Sequence, residues 1–394
     1  MLLNDLRNEP LNDPPNDQLN DPLNDPLNDP LNEEDSTNVH VSEKGTKSSN
    51  AASTKAESSQ LPAALKCSTV LITHPHTDHI MNMFSHARAR NVLCGGPGSS
   101  SWPKTRYVVP AGCEVEVSTI RSAVNRMDKE IGDCCPTPRS DGMGVTPVQV
   151  GEVICIWSKK KLSEEGEGKL PEEGVFAFTY PVSHIGDVVV KGGGEGGSEV
   201  PMSVGYTIFT RYIEEFIKAE YQGLPGKEIG RLVKEGMEVK DRKVVSHLLC
   251  SYTGDTRVSG LEGGEGTLRG RAMEARMLVT ECTYMGGAKE REMAVLRGHV
   301  DAEGFGQAVV RMWGSSGGGE QRIVVGHFSA KYRGDSDWVA RRFFEVLEKT
   351  DGWREEWRGR IGVINNQATG EGDSIIWGGG GRDSKKATEG AKIG

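Results

Sequence analysis

A chain of 394 residues could hold two domains, but its composition changes only once, near residue 65. Residues 1–64 have 12 acidic and 4 basic residues and so carry −8 of the formal net charge of −9. The remainder is almost neutral, which leaves phosphate-bearing substrates open. No run of about 18 apolar residues occurs, which excludes a membrane span. We expect neither a signal nor a transit peptide, and the dispersed cysteines, without a CxxC pair, indicate a cytoplasmic or nuclear protein.

Residues 1–64 are predicted to be a disordered, acidic, low-complexity tail. They contain the repeat LNDPLNDPLNDPLN. A proline at every fourth position removes helical hydrogen bonds, and Asn-Asp-Pro favours turns. Residues 65–368 are predicted to fold as one domain, and the glycine-rich residues 369–394 to form a flexible C-terminal tail.

In the predicted domain, short apolar runs alternate with amphipathic stretches. Buried strands are predicted at 68–73, 175–182, 204–209, 247–252, 275–280 and 322–326, and helices at 80–90, 228–236, 301–313 and 337–349. The glycine-rich loops between them are not followed by Gly-Lys-Ser/Thr, so no phosphate-binding P-loop is predicted. Strands and helices mixed in this way predict an α/β sandwich.

Side chains of the types that bind metal ions follow four of the predicted strands. In chain order they are His74, His76, Asp78 and His79 after the first, then His184, Asp255 and His327. The carboxyl ends of strands place side chains along one edge of an open α/β sheet, where a rigid site can form. A single histidine at such a position is more simply a surface or hydrogen-bonded core residue. Three histidines and an aspartate within six residues favour a metal site instead.

The same residues resemble a known family. The HxHxDH pattern resembles the signature of the metallo-β-lactamase superfamily. The segments YTGDTR, LVTECTYM, RGHVDAE and VGHFSAKY, within residues 67–366, resemble tRNase Z, the tRNA 3′-processing endoribonucleases, most closely the short form. The resemblance implies a metallo-β-lactamase-like αββα sandwich. The family has two or three strands before HxHxDH that residues 1–64 cannot supply, so we expect this sandwich to lack its first strands.

The resemblance also implies two bound zinc ions. It assigns His74, His76 and His184 to one ion, and Asp78, His79 and His327 to the other, with Asp255 bridging both. Zinc accepts imidazole and carboxylate ligands and leaves positions for water. Two such metals can stabilise both the attacking and the leaving oxygen of a phosphodiester.

Catalytic residues are implied by the same resemblance. Asp78 would also orient the nucleophile, and Glu281 and His299 would form an acid–base pair that protonates the departing ribose 3′ oxygen. Two simpler interpretations stay open. Glu281 could be a strand-end carboxylate in a surface salt bridge, and His299 a loop histidine before a helix.

The implied substrate is precursor tRNA, from which hydrolysis would remove the 3′ trailer. Ser329, Lys331 and Tyr332 could contact a phosphate, although Ser329 could equally stabilise a turn. Residues 209–243, which correspond to the family's tRNA-binding arm, hold 8 basic and 7 acidic residues. This balance of charge predicts that the arm binds tRNA weakly, or that a second subunit in a homodimer contributes to tRNA binding. A general phosphodiesterase or other metal-dependent hydrolase of the same fold, and a truncated, inactive metal-binding homologue, therefore stay open.

Overall fold

A computed structural model gives the structure of part of the chain. It describes residues 67–76, 79–80, 83–87, 89, 105–131, 144–158, 170–184, 190–191, 199–200, 203–263, 267–314, 319–332, 336–365 and 374–378. The chain divides into two units, Met1–Leu61 and Pro62–Gly394, and every described residue belongs to the second. The predictions for residues 1–64 lie outside the described residues. Within the described part, no helix has the length and apolar character needed to cross a membrane.

The described strands form a small parallel sheet, a large mixed sheet and a short hairpin. Their bounds are β1 (Thr69–Leu71), β2 (Arg106–Pro110), β3 (Gly144–Val148), β4 (Val153–Ser158), β5 (Gly174–Pro181), β6 (Val190–Lys191), β7 (Glu199–Val200), β8 (Val204–Ile217), β9 (Lys240–Tyr252), β10 (Met277–Glu281), β11 (Arg322–Gly326), β12 (Ile361–Asn365) and β13 (Ser374–Trp377). The small sheet has the order β1-β2-β3 and the large sheet the order β13-β12-β11-β10-β9-β8-β5-β4, while β6 pairs with β7.

Helices flank these sheets. Their bounds are α1 (Glu114–Ile131), α2 (Gly226–Lys234), α3 (Leu268–Met273), α4 (Ala288–Arg297), α5 (Ala302–Gly314) and α6 (Ser336–Leu347). Residues 83–87 are also helical, and short 3-10 turns occur at Ala219–Tyr221, Val258–Leu261, Ala330–Tyr332 and Glu355–Arg360. The six predicted strands and the four predicted helices all coincide with elements of the structure.

The alternation of side chains along β2 shows how the layers stack. Tyr107 and Val109 point to one face, where they pack with Phe84 of the helical residues 83–87. Val108 points to the other face and packs with Tyr206 of the large sheet, as the period of two residues in a strand requires. On its far side, the large sheet packs against α3, α5 and α6. The layers are therefore helix, sheet, sheet and helix, which confirms the predicted αββα sandwich.

Strands β8 and β9 run much further than predicted, because the sequence pattern of a buried strand ends before the hairpin does. Beyond residue 210 the ribbon is half-buried or exposed on both faces, so its outer half has no alternating apolar pattern. We call residues 211–246 the arm. Helix α2 lies near its end and contributes no buried residue.

The segment 369–394, predicted to be a flexible tail, contains a strand. Ser374–Trp377 form β13, which pairs antiparallel with β12 at the edge of the large sheet. The sequence SIIW supplies three apolar side chains that can pack at a sheet edge. Because glycines surround this short segment, the composition of 369–394 does not indicate a strand. Residues 369–373 and 379–394 lie outside the described residues.

Candidate metal centre

The candidate site lies where five strands end. His74, His184 and Asp255 each come three residues after the ends of β1, β5 and β9, His327 follows β11 directly, and Glu281 is the last residue of β10. Strands β9, β10 and β11 are parallel neighbours. Strand β5 runs in the same direction as β9, because both are antiparallel to β8. Their carboxyl ends therefore share one edge of the large sheet, as expected for an open α/β fold.

Three overlapping groups of side chains meet at this edge and could bind metal ions. The first consists of His74, His76, His184 and Asp255, the second of His79, Asp255 and His327, and the third of Glu281, His299 and His327. We call the first two the metal groups, because they contain the ligands that the sequence proposes. Within each group the candidate ligand atoms lie within 4.8 Å of one another. The structure thus brings together six of the seven side chains that the sequence proposes as ligands. The seventh, Asp78, lies outside the described residues.

Asp255 faces imidazoles from both groups at distances too long for hydrogen bonds. Its Oδ2 lies 3.6 Å from Nε2 of His74 and 3.5 Å from Nε2 of His79. Its Oδ1 lies 3.5 Å from Nε2 of His327. Ligand atoms about 2.1 Å from a tetrahedral zinc ion are separated by about 3.4 Å. The spacing therefore suits side chains placed around a metal ion.

The ring of His74 supplies an independent test of this fit. The ring is fully buried, and its Nε2 has no hydrogen-bond partner among the described residues. Buried polar atoms of folded proteins are almost always paired, because an unpaired one costs free energy. The Nε2 atom faces Asp255 across a gap of 3.6 Å, and a metal ion in that gap would satisfy both groups.

The ionisation of these groups suits metal binding. Burial, together with the neighbouring imidazoles, lowers the pKa of His74 to about 2, so its ring is neutral at physiological pH. Burial alone would raise the pKa of Asp255, but His79, His327 and His74 outweigh it and hold this pKa below its usual range. Neutral imidazole and ionised carboxylate are the forms that bind a metal.

Groups around the site orient the imidazoles of the first group. Oγ1 of Thr73 lies 2.9 Å from Nδ1 of His74. Nδ1 of His184 lies 2.8 Å from the carbonyl oxygen of Gly298, to which it must donate a proton. Nε2 of His74 is left for the candidate metal, whereas Nε2 of His184 lies 3.1 Å from Nδ1 of His76. A partner on Nδ1 is the arrangement that fixes the orientation of metal-binding histidines. Neither Thr73 nor Gly298 is indicated by the sequence.

Thr283 links the second group to the candidate acid–base pair. Its hydroxyl lies 2.5 Å from Oε2 of Glu281, to which it donates, and 3.2 Å from Nδ1 of His327. Sequence reasoning missed this residue. The only signal was its place two residues after Glu281, in the same strand-end loop.

Glu281 and His299 form a hydrogen-bonded pair beside the metal groups. Nδ1 of His299 lies 2.9 Å from Oε1 of Glu281 and 3.9 Å from Oδ2 of Asp255. The same Oε1 accepts a hydrogen bond of 2.8 Å from the backbone N–H of Thr256. Glu281 is only 2% exposed, so it is not the surface carboxylate that the simpler interpretation requires. Both oxygens accept hydrogen bonds, as an ionised carboxylate does.

The backbone at His327 is strained. Its φ of 58° lies in the left-handed region, and no other described residue except glycine has a positive φ. A side chain in this conformation costs of order 1 kcal/mol or more and persists only where its surroundings impose it. Backbone hydrogen bonds hold both sides of the residue: Cys282 N–H donates to Gly326, and Ser329 N–H donates to Thr283. Strain of this kind is typical of functional sites.

The residues proposed to contact phosphate are engaged within the protein. The ammonium of Lys331 and the hydroxyl of Tyr332 both donate to the carboxylate of Glu290. The carbonyl of Ser329 accepts from the backbone N–H of Tyr332 at 2.9 Å, which places the backbone of Ser329 at a turn. Phosphate contact by these residues stays a prediction.

Comparison with known proteins adds little to this geometry. No family model and no curated protein matches the sequence. Among solved structures, the chain is similar to the short form of human tRNase Z, with 16% identity over 70% of this chain and 76% of that one, and a TM-score of 0.32. It is also similar to a long-form RNase Z from yeast, with 14% identity over 67% of this chain and 28% of that one, and a TM-score of 0.34. Similarity at this level carries no argument, so the case for function rests on the residues of the site.

Proposed function

We propose that the protein is a metal-dependent hydrolase of phosphodiesters that binds two divalent metal ions, for which zinc suits the ligands best. The observation that carries this proposal is the position of Asp255. Its Oδ2 faces His74 of the first group and His79 of the second, and its Oδ1 faces His327 of the second, so it lies between the groups, as a ligand shared by two metals would. Imidazole and carboxylate are ligands that zinc accepts readily.

The first ion would be held by His74, His76, His184 and Asp255, and the second by His79, His327 and Asp255 together with Asp78. When bound, the two ions supply a lowered pKa for water and stabilisation of the charge on the attacking and leaving oxygens. Such a pair of metals suits the in-line displacement at phosphorus that hydrolysis of a phosphodiester requires.

The chain's own acid–base group is proposed to be His299. Its Nδ1 donates to Oε1 of Glu281 at 2.9 Å, so Nε2 is the ring atom that would carry a proton to the leaving oxygen. Glu281 is itself held by the N–H of Thr256 and the hydroxyl of Thr283, so it keeps the imidazole in one orientation. A general acid positioned in this way typically contributes about 100-fold or more to the rate.

For the substrate, we propose precursor tRNA cleaved at its 3′ trailer, in line with the sequence resemblance to tRNase Z. The arm supports a second candidate, a general phosphodiesterase. Four of the arm's eight cations form ion pairs with carboxylates of the arm itself, namely Lys218, Arg231, Lys240 and Arg242. Nucleic-acid affinity depends on cations that are available to neutralise phosphates. The arm is therefore expected to contribute only weak electrostatic affinity for tRNA.

Metal analysis combined with two substrates tests these proposals. The zinc-reconstituted protein is expected to hold about two equivalents of metal and to lose its activity to a chelator. It would be assayed with a precursor tRNA bearing a 3′ trailer and with bis(4-nitrophenyl) phosphate. Removal of the trailer, with a far higher kcat/KM than for the aryl diester, supports the tRNA nuclease.

Three other results would contradict the proposal of a metal-dependent tRNA nuclease. Hydrolysis of the aryl diester without trailer removal favours the general phosphodiesterase. Tight binding of about two metals with no turnover of either substrate supports the inactive homologue. Metal content well below one equivalent after reconstitution overturns the proposal of a metal enzyme. Size-exclusion chromatography with and without tRNA shows whether a homodimer forms.

A further inference from the structure

One carboxylate outside the metal groups connects the two loops that carry the candidate site. Glu290, in the first turn of α4, accepts a hydrogen bond of 3.0 Å from the backbone N–H of Met285. The hydroxyl of Tyr332 lies 2.7 Å from each of its oxygens. The ammonium of Lys331 forms an ion pair with it as well. Three donors from two different segments thus converge on Glu290.

These donors belong to segments that deliver site residues. Met285 and Thr283 lie in the loop that begins after Glu281, the last residue of β10, and that leads to α4. Tyr332 and Lys331 belong to the 3-10 turn that follows the last candidate ligand, His327. Apart from Glu290, the two loops are also joined directly: Ser329 N–H donates to the Thr283 carbonyl at 2.9 Å, the Thr283 hydroxyl donates to the His327 carbonyl at 3.2 Å, and Met285 N–H donates to the Tyr332 hydroxyl at 3.2 Å. The carboxylate therefore bridges the Glu281 loop and the His327 loop.

Aromatic contacts extend this connection to the acid–base pair. The Lys331 ammonium lies 5.4 Å from the ring centre of Tyr284 and 4.9 Å from that of Tyr332. The ring of Tyr284 in turn packs edge-on against His299, with a centroid separation of 6.3 Å. A cation held over two rings by Glu290 therefore also fixes the ring that contacts the candidate general acid.

The ionisation of Glu290 agrees with this bridging role. Burial of the carboxylate raises its pKa, but the hydrogen bonds from Lys331 and Tyr332 outweigh burial, so its pKa lies below the usual range. The group is therefore ionised at neutral pH. Hydrogen bonds to an ionised acceptor are about twice as strong as those between neutral groups.

We propose that Glu290 is a positioning residue that clamps the Glu281 loop to the His327 loop and so sets the distance between the candidate acid–base pair and the second metal group. In this arrangement Lys331 serves the clamp instead of binding phosphate. The part of this inference that concerns metal binding rests on the proposed function, because it assigns a task within the same site. The clamp itself does not depend on bound metal.

Amide hydrogen exchange tests the clamp without reference to metal. Glu290→Ala is expected to accelerate exchange in residues 281–285 and 327–332 by about tenfold or more, since both loops lose their shared partner. Glu290→Gln keeps the length of the side chain but offers a single acceptor oxygen to three donors, so it should recover only part of the protection. Glu292→Ala, an exposed carboxylate on the same helix, is the matched control. Unchanged exchange in both loops of Glu290→Ala overturns the clamp, whether or not the protein binds metal.

Titration with Co²⁺, followed by its visible absorption, tests the positioning role. Glu290→Ala should weaken the second of two binding steps by about 10–100-fold, the usual effect of losing a group that orients a metal ligand. Glu290→Gln, which loses the charge and one acceptor oxygen, should fall between Glu290→Ala and wild type, whereas the control should stay within about threefold of wild type. Equal weakening of both steps in Glu290→Ala would indicate general destabilisation and overturn the positioning role. If the wild-type protein binds no Co²⁺ or Zn²⁺, the proposed function and the positioning role both fail, while the exchange experiment still decides on the clamp.

Discussion

Replacing Thr283 by valine removes one hydroxyl from the centre of the site and leaves the volume of the side chain nearly unchanged. This hydroxyl donates to Oε2 of Glu281 at 2.5 Å and lies 3.2 Å from Nδ1 of His327. We therefore expect the substitution to affect two quantities that can be measured separately. One is the free energy of unfolding of the metal-free protein, and the other is the affinity for metal at the His327 group.

The magnitude follows from the burial and charge of Glu281. Its side chain is almost completely buried, so the lost donor cannot be replaced by bulk water. A hydrogen bond to a charged group contributes about 1.5–3 kcal/mol, whereas one between neutral groups contributes about 0.5–1.5 kcal/mol. Thr283→Val should therefore lower the free energy of unfolding by about 2 kcal/mol, and by about 1 kcal/mol more than loss of a neutral buried hydroxyl would.

Thr207→Val supplies that neutral reference. Thr207 is fully buried in the same sheet, and its hydroxyl lies 3.1 Å from the hydroxyl of Ser251. Urea unfolding in the presence of a chelator would compare both variants with wild type. Metal titration should then show weaker binding of one ion, by about 10–100-fold, in Thr283→Val alone.

Equal unfolding free energies for the two variants would refute the reasoning about Glu281, since the hydroxyl of Thr283 would then contribute no more than a neutral partner. Unchanged metal affinity in Thr283→Val would refute its role in orienting His327. Circular dichroism of both variants would confirm that the comparison is made between folded proteins.

Three further predictions concern the site directly. His76→Ala should lose about one equivalent of metal or more in elemental analysis, whereas His86→Ala, which lies outside both groups, should keep the wild-type content. Glu281→Gln and His299→Ala should each retain metal but lower turnover by about 100-fold or more; a matching loss of metal would identify the residue as a ligand instead. Gly254→Ala should fail to bind metal or to fold, since its φ of 65° is left-handed and a methyl group would meet a buried threonine at 2.6 Å; a variant that keeps both properties would show that the backbone there can rearrange.

The parts of the fold that the sequence predicts are those with buried, regular patterns. Strand β11 is recovered residue for residue, because RIVVG is an apolar run bounded by polar and glycine-rich segments. Strands β3 and β4 are not predicted: GVTPV is mostly exposed and contains a proline, and VICIWS is only partly buried. Strand β2, RYVVP, is buried at four of five positions. It is short and ends in a proline, so its apolar run alone does not predict a strand.

The candidate site, like the fold, has a part that the sequence predicts and a part that it does not. The candidate ligands are indicated by residue type and by their place after strands, both of which are visible in the sequence. Thr73, Thr283 and Glu290 are not, because threonine and glutamate are common on protein surfaces and their partners lie far away in the chain. Glu290 and Tyr332 are separated by 42 residues, yet their side chains lie 2.7 Å apart. Only the folded backbone reveals which of many such residues supports the site.

Because the β8–β9 hairpin is long, the outer part of the arm can open separately from the sandwich. Its outer part is held by the ladder between the two strands and by exposed ion pairs, and Val239 is the single buried residue between 211 and 246. Opening this part therefore exposes little new apolar surface, so it costs much less free energy than unfolding the sandwich. A protease acting on the native protein should cut first between residues 219 and 237, and the cleaved protein should retain its sandwich and its metal. The outer part of the arm can thus loosen and re-form while the edge of the large sheet that carries the candidate metal site keeps its structure.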